Sequence, residues 1–220
     1  MGHGSLVSGG QSLNSEKSVG VVHFGAGNTG SVVRALTRLG AEAKVLTDPG
    51  QIASVARVVV PGVGSFAKAM VTLHDRGWIQ MLRSHVDSGR PLAGICLGMQ
   101  LFMQSGAEGG NQEGLGFIAG EARPLRPANG EKVPHIGWNG VAVEYSHILL
   151  DGVRPGADYY FAHSWVVCPR DVRTIVGTSF HGESFPSIVA KDNVVGFQFH
   201  PEKSPPMGSV LLRNFLEWCP

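Results

Sequence analysis

A cysteine set between two glycines, in Gly94-Ile95-Cys96-Leu97-Gly98-Met99-Gln100, is the residue of this chain best placed for covalent chemistry. The run before it, opened by Arg90-Pro91-Leu92-Ala93, reads as a turn feeding a short buried strand. Leu97 to Gln104 reads as the first turns of a helix. A nucleophile between glycines at a strand-to-helix corner has the form of a nucleophile elbow. The corner cramps the backbone, so the neighbours of the nucleophile must be small. It also aims the sulfur at the positive end of a helix, where thiolate is favoured over thiol. The alternative for Cys96 is a buried, inert thiol.

A nucleophilic thiol needs a base. Phe197-Gln198-Phe199 alternates as a strand does and runs into His200-Pro201-Glu202-Lys203-Ser204. Pro201 biases His200 away from helix, and in an extended backbone His200 and Glu202 point to the same side. The carboxylate can then hold one imidazole nitrogen and leave the other for a thiol. Alone, the plainer reading prevails: His200 as a strand-end residue and Glu202 as a solvated charge. With Cys96 they supply nucleophile, base and orienter. A third segment, Pro61-Gly62-Val63-Gly64-Ser65-Phe66, follows the strand-like run Arg57-Val58-Val59-Val60. Its glycines let peptide groups reorient at low steric cost, and a loop at a strand's carboxyl end can aim backbone N–H groups at a ligand. An ordinary turn is the alternative.

These residues must be carried by alternating strands and helices. Strands are predicted at 21–24, 43–48, 57–60 and just before Cys96, and a helix at 31–39. A long helix is expected from Phe66 to Ser88, broken at Gly77. Four strand-to-helix transitions in about a hundred residues argue for a parallel sheet covered on both faces. After Gly106, short alternating segments recur at 116–124, 141–145, 159–167, 174–180, 187–190 and 194–199, with Asp192-Asn193 at a tight turn. They are expected to add antiparallel strands to the sheet or its edge. A helix at 208–218 carries an apolar stripe at Val210, Leu211, Phe215 and Trp218. The fold class is therefore α/β, one domain from residue 18 to 220 with a mixed, mostly parallel sheet. Residues 1–17 are rich in Gly and Ser and read as a disordered extension or expression remnant.

The first turn, Gly25-Ala26-Gly27-Asn28-Thr29-Gly30, is a full G-x-G-x-x-G after a strand, with Asp48 about 20 residues on. Taken literally it is a dinucleotide-binding fingerprint; the bland reading is a glycine turn that closes a strand–helix unit. Composition narrows the classes further. Net charge is +1 with no long basic run, so neither nucleic acid nor a membrane surface is implied. Charged residues make up only 16%, against roughly 25% in a typical soluble domain, which fits a surface partly covered by a partner. Cys96, Cys168 and Cys219 are spaced for neither a disulfide framework nor a zinc site, and the nine histidines lack paired ligand spacing. No metal or cofactor is expected. No apolar stretch is long enough to span a bilayer, and a reducing, cytoplasmic compartment is the simplest reading.

The elbow at 94–100 and the His200-Pro201-Glu202 segment resemble the two hallmark motifs of the class I, triad-type glutamine amidotransferases. Within that class, 61–66, Val133-Pro134-His135-Ile136-Gly137-Trp138-Asn139 and 200–204 are similar to the glutaminase subunits of imidazole glycerol phosphate synthase. The resemblance runs from Ser18 onward. It implies glutamine hydrolysis by Cys96, His200 and Glu202, with oxyanion donors from Gly62, Val63 and Leu97. It also implies glutamine-binding roles for Gln100, Glu108, His163 and Ser164. A cyclase partner, a (β/α)₈ barrel, would meet Asn28, Pro134, His135, Gly137, Trp138, Asn139 and Lys203 and receive the ammonia. The glycine turn at 25–30 would bind no nucleotide. Departures are His23-Phe24, where the family has Asp-Tyr, and Trp165, where Tyr is common after His163-Ser164. Two other classes stay open: another triad amidotransferase or γ-glutamyl hydrolase, and a nucleotide-binding or interaction protein with an inert Cys96.

Overall fold

The computed structural model describes residues 16–25, 27–128 and 130–220. The extension expected at 1–17 lies outside them except for Glu16 and Lys17, which form a turn. The first half alternates as expected: β1 Ser18–Val22, α1 Thr29–Arg38, β2 Glu42–Leu46, β3 Arg57–Gly62, α2 Phe66–Asp75, α3 Trp78–Asp87, β4 Leu92–Cys96 and α4 Leu97–Leu101. Seven strands follow before the next turn back to the site: β5 Met103–Gly106, β6 Gln112–Glu113, β7 Ile118–Pro124, β8 His135–Gly140, β9 Ala142–Val143, β10 Asp158–His163 and β11 Trp165–Pro169. The chain closes with β12 Ile175–Phe180, β13 Ser184–Lys191, β14 Val194–Phe197 and α5 Met207–Glu217.

The main sheet has eight strands in the order β2-β1-β3-β4-β14-β13-β12-β9. The first five run parallel, and β13, β12 and β9 add an antiparallel edge. Residues of β1, β3 and β4 are buried throughout, as a parallel sheet covered on both faces requires. Alternation splits β3 between two cores. Val59 packs with Val32 and Leu36 of α1 and with Leu211 and Phe215 of α5. Val58 and Val60 face Phe66 and Leu73 of α2 and Trp78 and Leu82 of α3. The long helix expected over 66–88 breaks where predicted, at Gly77, whose φ of 73° suits a residue without a Cβ.

Several expectations need correction. The helix after the elbow ends at Leu101 rather than Gln104, because Met103–Gly106 leaves it to pair with β6 and β7. The segment at 159–167 is two strands: β10 pairs with β8, and β11 pairs with β7 in a separate four-stranded sheet. Only part of the antiparallel half therefore extends the main sheet. Strand β8, inside the 133–139 motif, carries too little apolar alternation to be read as a strand from sequence; its partner β10 supplies the burial. At the fingerprint, Gly27 and Asn28 serve packing and capping. A Cβ on Gly27 would meet the backbone of Gly62 at 3.3 Å, the Asn28 side chain caps α1, and Asp48 caps a 3₁₀ turn at 49–54. One Asp48 carboxylate oxygen accepts the Gly50 N–H at 2.8 Å in that cap.

Candidate active site

Parallel pairing brings the reactive segments together. Gly62 is in register with Cys96, and Phe197 with Ile95, so the carboxyl ends of β3, β4 and β14 lie side by side. Cys96 stands at the corner with φ 54° and ψ −110°, one of two non-glycine residues with positive φ among the described residues. Such backbone strain persists only where the surroundings dictate it, and it gathers at functional sites. Here the glycines dictate it. A Cβ on Gly98 would lie 1.8 Å from the Val60 carbonyl oxygen, and one on Gly94 would lie 2.6 Å from the Phe102 ring. Without them, α4 could not rest on β3 and β4.

His200 is buried, and its backbone N–H donates to the Tyr160 carbonyl at 2.9 Å. Its Nδ1 lies 2.9 Å from Oε1 of Glu202, whose side chain is also buried. The two meet by a different route from the extended one expected: Glu202 sits in a 3₁₀ turn at Pro201–Lys203, which curls the carboxylate back under the ring. Ser204 locks that turn, donating to the His200 carbonyl at 2.7 Å and accepting the Tyr160 N–H at 2.9 Å. Burial pushes His200 toward its neutral form. Interactions with Cys96 and Glu202 overcome it and raise the pKa to about 9. The imidazole is thus protonated at neutral pH and faces the sulfur.

Gln198 is a residue that motif reading missed. It is fully buried, and its Nε2 donates toward Cys96 Sγ at 3.8 Å. Its Oε1 accepts from Gln100 Nε2 at 3.3 Å. A polar residue between two phenylalanines, two positions before His200 and so on its side of the strand, was the available signal.

A cavity of about 410 Å³ opens beside the sulfur, within the size range of small-molecule sites. Cys96, Leu97 and Val63 line it on one side, with Gln100, Glu108, His163 and Ser164 around the rest. A larger concavity, about 1170 Å³, runs along the β8–β9 edge and holds none of Cys96, His200 and Glu202, whereas the smaller one is lined by Cys96, so chemistry rather than size selects it. Gly62 does not line the cavity: it ends β3 and packs against Leu97, leaving Val63, half exposed, as the loop residue at the pocket. Glu108 has one oxygen committed, since Oε2 accepts the Phe66 N–H at 2.7 Å. Gln100 spends its amide N–H groups on the Trp165 carbonyl, at 3.0 Å, and on Gln198, which leaves its own carbonyl oxygen to the cavity.

Two expected positions change character. Both ring nitrogens of His163 are engaged, one with the Trp165 carbonyl and one with His135, each at 3.0 Å, so it shapes the wall without a free polar atom for a ligand. His135, expected on a partner face, is buried behind it. The other expected face residues are accessible to differing degrees. Pro134, Trp138, Asn28 and Lys203 are exposed, while Gly137 and Asn139 are half-buried. The Lys203 ammonium lies 5.5 Å from the Tyr160 ring centre, and Trp138 packs edge-on to the same ring. No group of three or more possible metal ligands exists among the described residues, and no helix among them is long and apolar enough to cross a membrane.

A family model described as glutamine amidotransferase class-I matches residues 20–218, and the chain belongs to that family. Solved structures agree on the fold: one titled "Crystal structure of glutamine amidotransferase" superposes with a TM-score of 0.71 at 23% identity, over 90% of this chain and 97% of the other. Within the class, the similarity points to one kind of subunit. The chain is 45% identical over 200 residues to the imidazole glycerol phosphate synthase subunit HisH of Desulfitobacterium hafniense (strain DSM 10664 / DCB-2), covering 91% of this chain and 94% of that one. It is 42% identical over 201 residues to the subunit of the same name from Moorella thermoacetica, covering 91% and 95%.

Proposed function

We propose that this chain is the glutaminase subunit of an imidazole glycerol phosphate synthase, with residues 18–220 as its amidotransferase domain. It hydrolyses glutamine to glutamate and ammonia and delivers the ammonia to a cyclase partner in histidine biosynthesis. The observation that supports the chemistry is the imidazole of His200, held by Glu202 at 2.9 Å and close enough to Cys96, at its strained corner, for the sulfur to raise its pKa.

In this reading the Cys96 sulfur attacks the side-chain carboxamide of glutamine and negative charge builds on its oxygen. The N–H of Leu97 and an N–H of the Gly62–Val63 loop receive that charge; losing one such donor costs roughly 3 kcal/mol in comparable sites. Gly64, with φ 103°, gives the loop a hinge at which a peptide can turn. His200, protonated, passes its proton to the departing nitrogen, so ammonia leaves and a thioester remains. The neutral imidazole then takes a proton from water, which attacks the thioester and frees glutamate. The Gln100 carbonyl oxygen and the second oxygen of Glu108 are acceptors turned to the cavity, suited to the α-ammonium of glutamine, with Ser164 on the opposite wall. The partner docks on Pro134, Gly137, Trp138 and Asn139, with Lys203 and Asn28 at its margin. This is a cytoplasmic assembly, and cover by the cyclase keeps ammonia from being protonated in bulk water. Glutamine turnover is low until the partner holds its own substrate.

An electrophilic glutamine analogue tests the reading, applied with and without the cyclase subunit and followed by mapping of the label. Labelling at Cys96 is expected, faster in the complex. Label on Cys168 and Cys219 with Cys96 spared would overturn the assignment. In parallel, Cys96→Ala should abolish glutamine-dependent synthesis and leave ammonia-dependent synthesis intact.

A further inference from the structure

Strand β8 has two faces. Ile136 and Trp138 project outward and are 63% and 58% exposed, while His135 and Asn139 project inward. Its register with β10 sets His135 opposite His163. Two backbone carbonyls, which can only accept, then fix the proton positions along this inner row. The Trp165 carbonyl lies 3.0 Å from His163 Nδ1, so that nitrogen carries the proton. His163 Nε2, bare in the neutral ring, faces His135 Nδ1 at 3.0 Å, so His135 donates there. His135 Nε2 is then an acceptor and receives Asn139 Nδ2 at 3.3 Å. The Phe180 carbonyl, 2.8 Å from the same Nδ2, fixes which way the Asn139 amide points. The rings are neutral: burial, then the positive field of His181, lowers the His135 pKa to about 4, and burial, then His135, lowers that of His163 to about 3.

The chain thus runs one way, from Asn139 through His135 and His163 to the Trp165 carbonyl. That same oxygen accepts from Gln100. It lies where β10 gives way to β11 around Ser164, the wall facing Cys96, whose sulfur lies 3.8 Å from the Ala162 carbonyl. We propose that His135 is a positioning residue: its Nδ1–H holds His163, and through the Trp165 carbonyl it sets the pocket wall and Gln100 for glutamine. Because Asn139 and Trp138 are neighbours on β8, whatever seats on the outer face also bears on this row. The inference rests on the reading of the cavity as a glutamine pocket and adds a residue that touches no substrate.

The test uses the assembled synthase and compares His135→Phe, which keeps a planar ring without the donor, with His135→Asn, whose amide can take the place of Nδ1–H. His135→Phe should raise KM for glutamine by about tenfold, the equivalent of a strong hydrogen bond, with a smaller change in kcat. His135→Asn should recover most of that loss, and ammonia-dependent synthesis should stay at the wild-type rate in both. A merely structural role would lower Tm without separating the two variants in KM. An unchanged KM in His135→Phe, or equal KM in both variants, overturns the proposal. Should His135→Phe fail to fold, His135→Leu takes its place against His135→Asn, and an unchanged KM there overturns it equally. Cys96→Ala, assayed alongside, reports on the glutaminase reading independently of the wall.

Discussion

The carboxylate of Glu108 accepts the backbone N–H of Phe66 at 2.7 Å, so a residue on the rim of the cavity also caps helix α2. That helix begins directly after the glycine loop at 61–65, which ties the cavity rim to the start of α2 and the loop. Glu108 serves two purposes, and they are separable. Glu108→Gln keeps an oxygen for the Phe66 N–H but removes the charge, and should raise KM for glutamine while leaving Tm near wild type. Glu108→Ala should raise KM and also lower stability by about 1 kcal/mol, as loss of a helix cap does. Steady-state kinetics with thermal melts of both variants check this, and equal Tm in the two would deny the capping role.

Activity should fall on the alkaline side as His200 loses its proton. Its pKa of about 9 sets the position of that limb in kcat/KM for the free enzyme. Glu202→Gln keeps a hydrogen-bond acceptor but not the charge, so the limb should move to lower pH. A pH–rate profile with an unmoved limb would separate Glu202 from the titration of His200.

Stability should peak near neutrality. His85, His135 and His163 are buried, with pKa values lowered to about 4, 4 and 3, mainly by burial. Below pH 6.5 the unfolded chain takes up protons that these native rings refuse, so stability falls with falling pH until their folded values are reached. His200 works the other way. Native protein holds its proton between 6.5 and about 9 while the unfolded chain does not, so that contribution is lost as pH rises through 9. Melting temperatures from pH 4 to 10 should show both limbs, the acid one steeper because several histidines act there, His147, also lowered by burial, included. A Tm flat between pH 7 and pH 4 would contradict the neutral state of the buried rings.

Gly98→Ala should be among the most damaging single methyl additions. The new Cβ would sit 1.8 Å from the Val60 carbonyl oxygen, part of the backbone rather than a flexible side chain. The expected loss is about 3 kcal/mol or more, as severe overpacking gives. For a chain of this size that amounts to about 10 °C in Tm. Gly64→Ala has open space around its Cβ but a φ of 103°, so it should cost less stability and act chiefly on the mobility of the loop. Comparing the two by calorimetry and glutamine turnover distinguishes packing from hinge.

Much of the fold can be read along the chain, because local pattern and long-range structure agree in its first half. The strands expected at 21–24, 57–60 and just before Cys96 mark the buried parallel core, although β1 lies earlier, at Ser18–Val22, and the glycines around Cys96 mark a corner that larger residues cannot turn. The breakpoint at Gly77 and the turn at Asp192 follow from backbone preferences of single residues. In the second half the pattern is weaker. Strand β8 mixes His, Ile, Gly, Trp and Asn, and neither its existence nor its partner β10 is fixed by periodicity.

By itself, then, the sequence determined which residues are candidates for chemistry and roughly where the parallel strands lie, since residue chemistry and hydrophobic period are local properties. Tertiary structure alone decided how those residues are employed. It gave Gln198 a sulfur to face, curled Glu202 under His200 through a 3₁₀ turn, committed half of the Glu108 carboxylate to a helix, and drew His135 inward behind His163. Hydrogen-bond partners far apart in the chain are set by strand register and burial, which no short stretch of sequence contains.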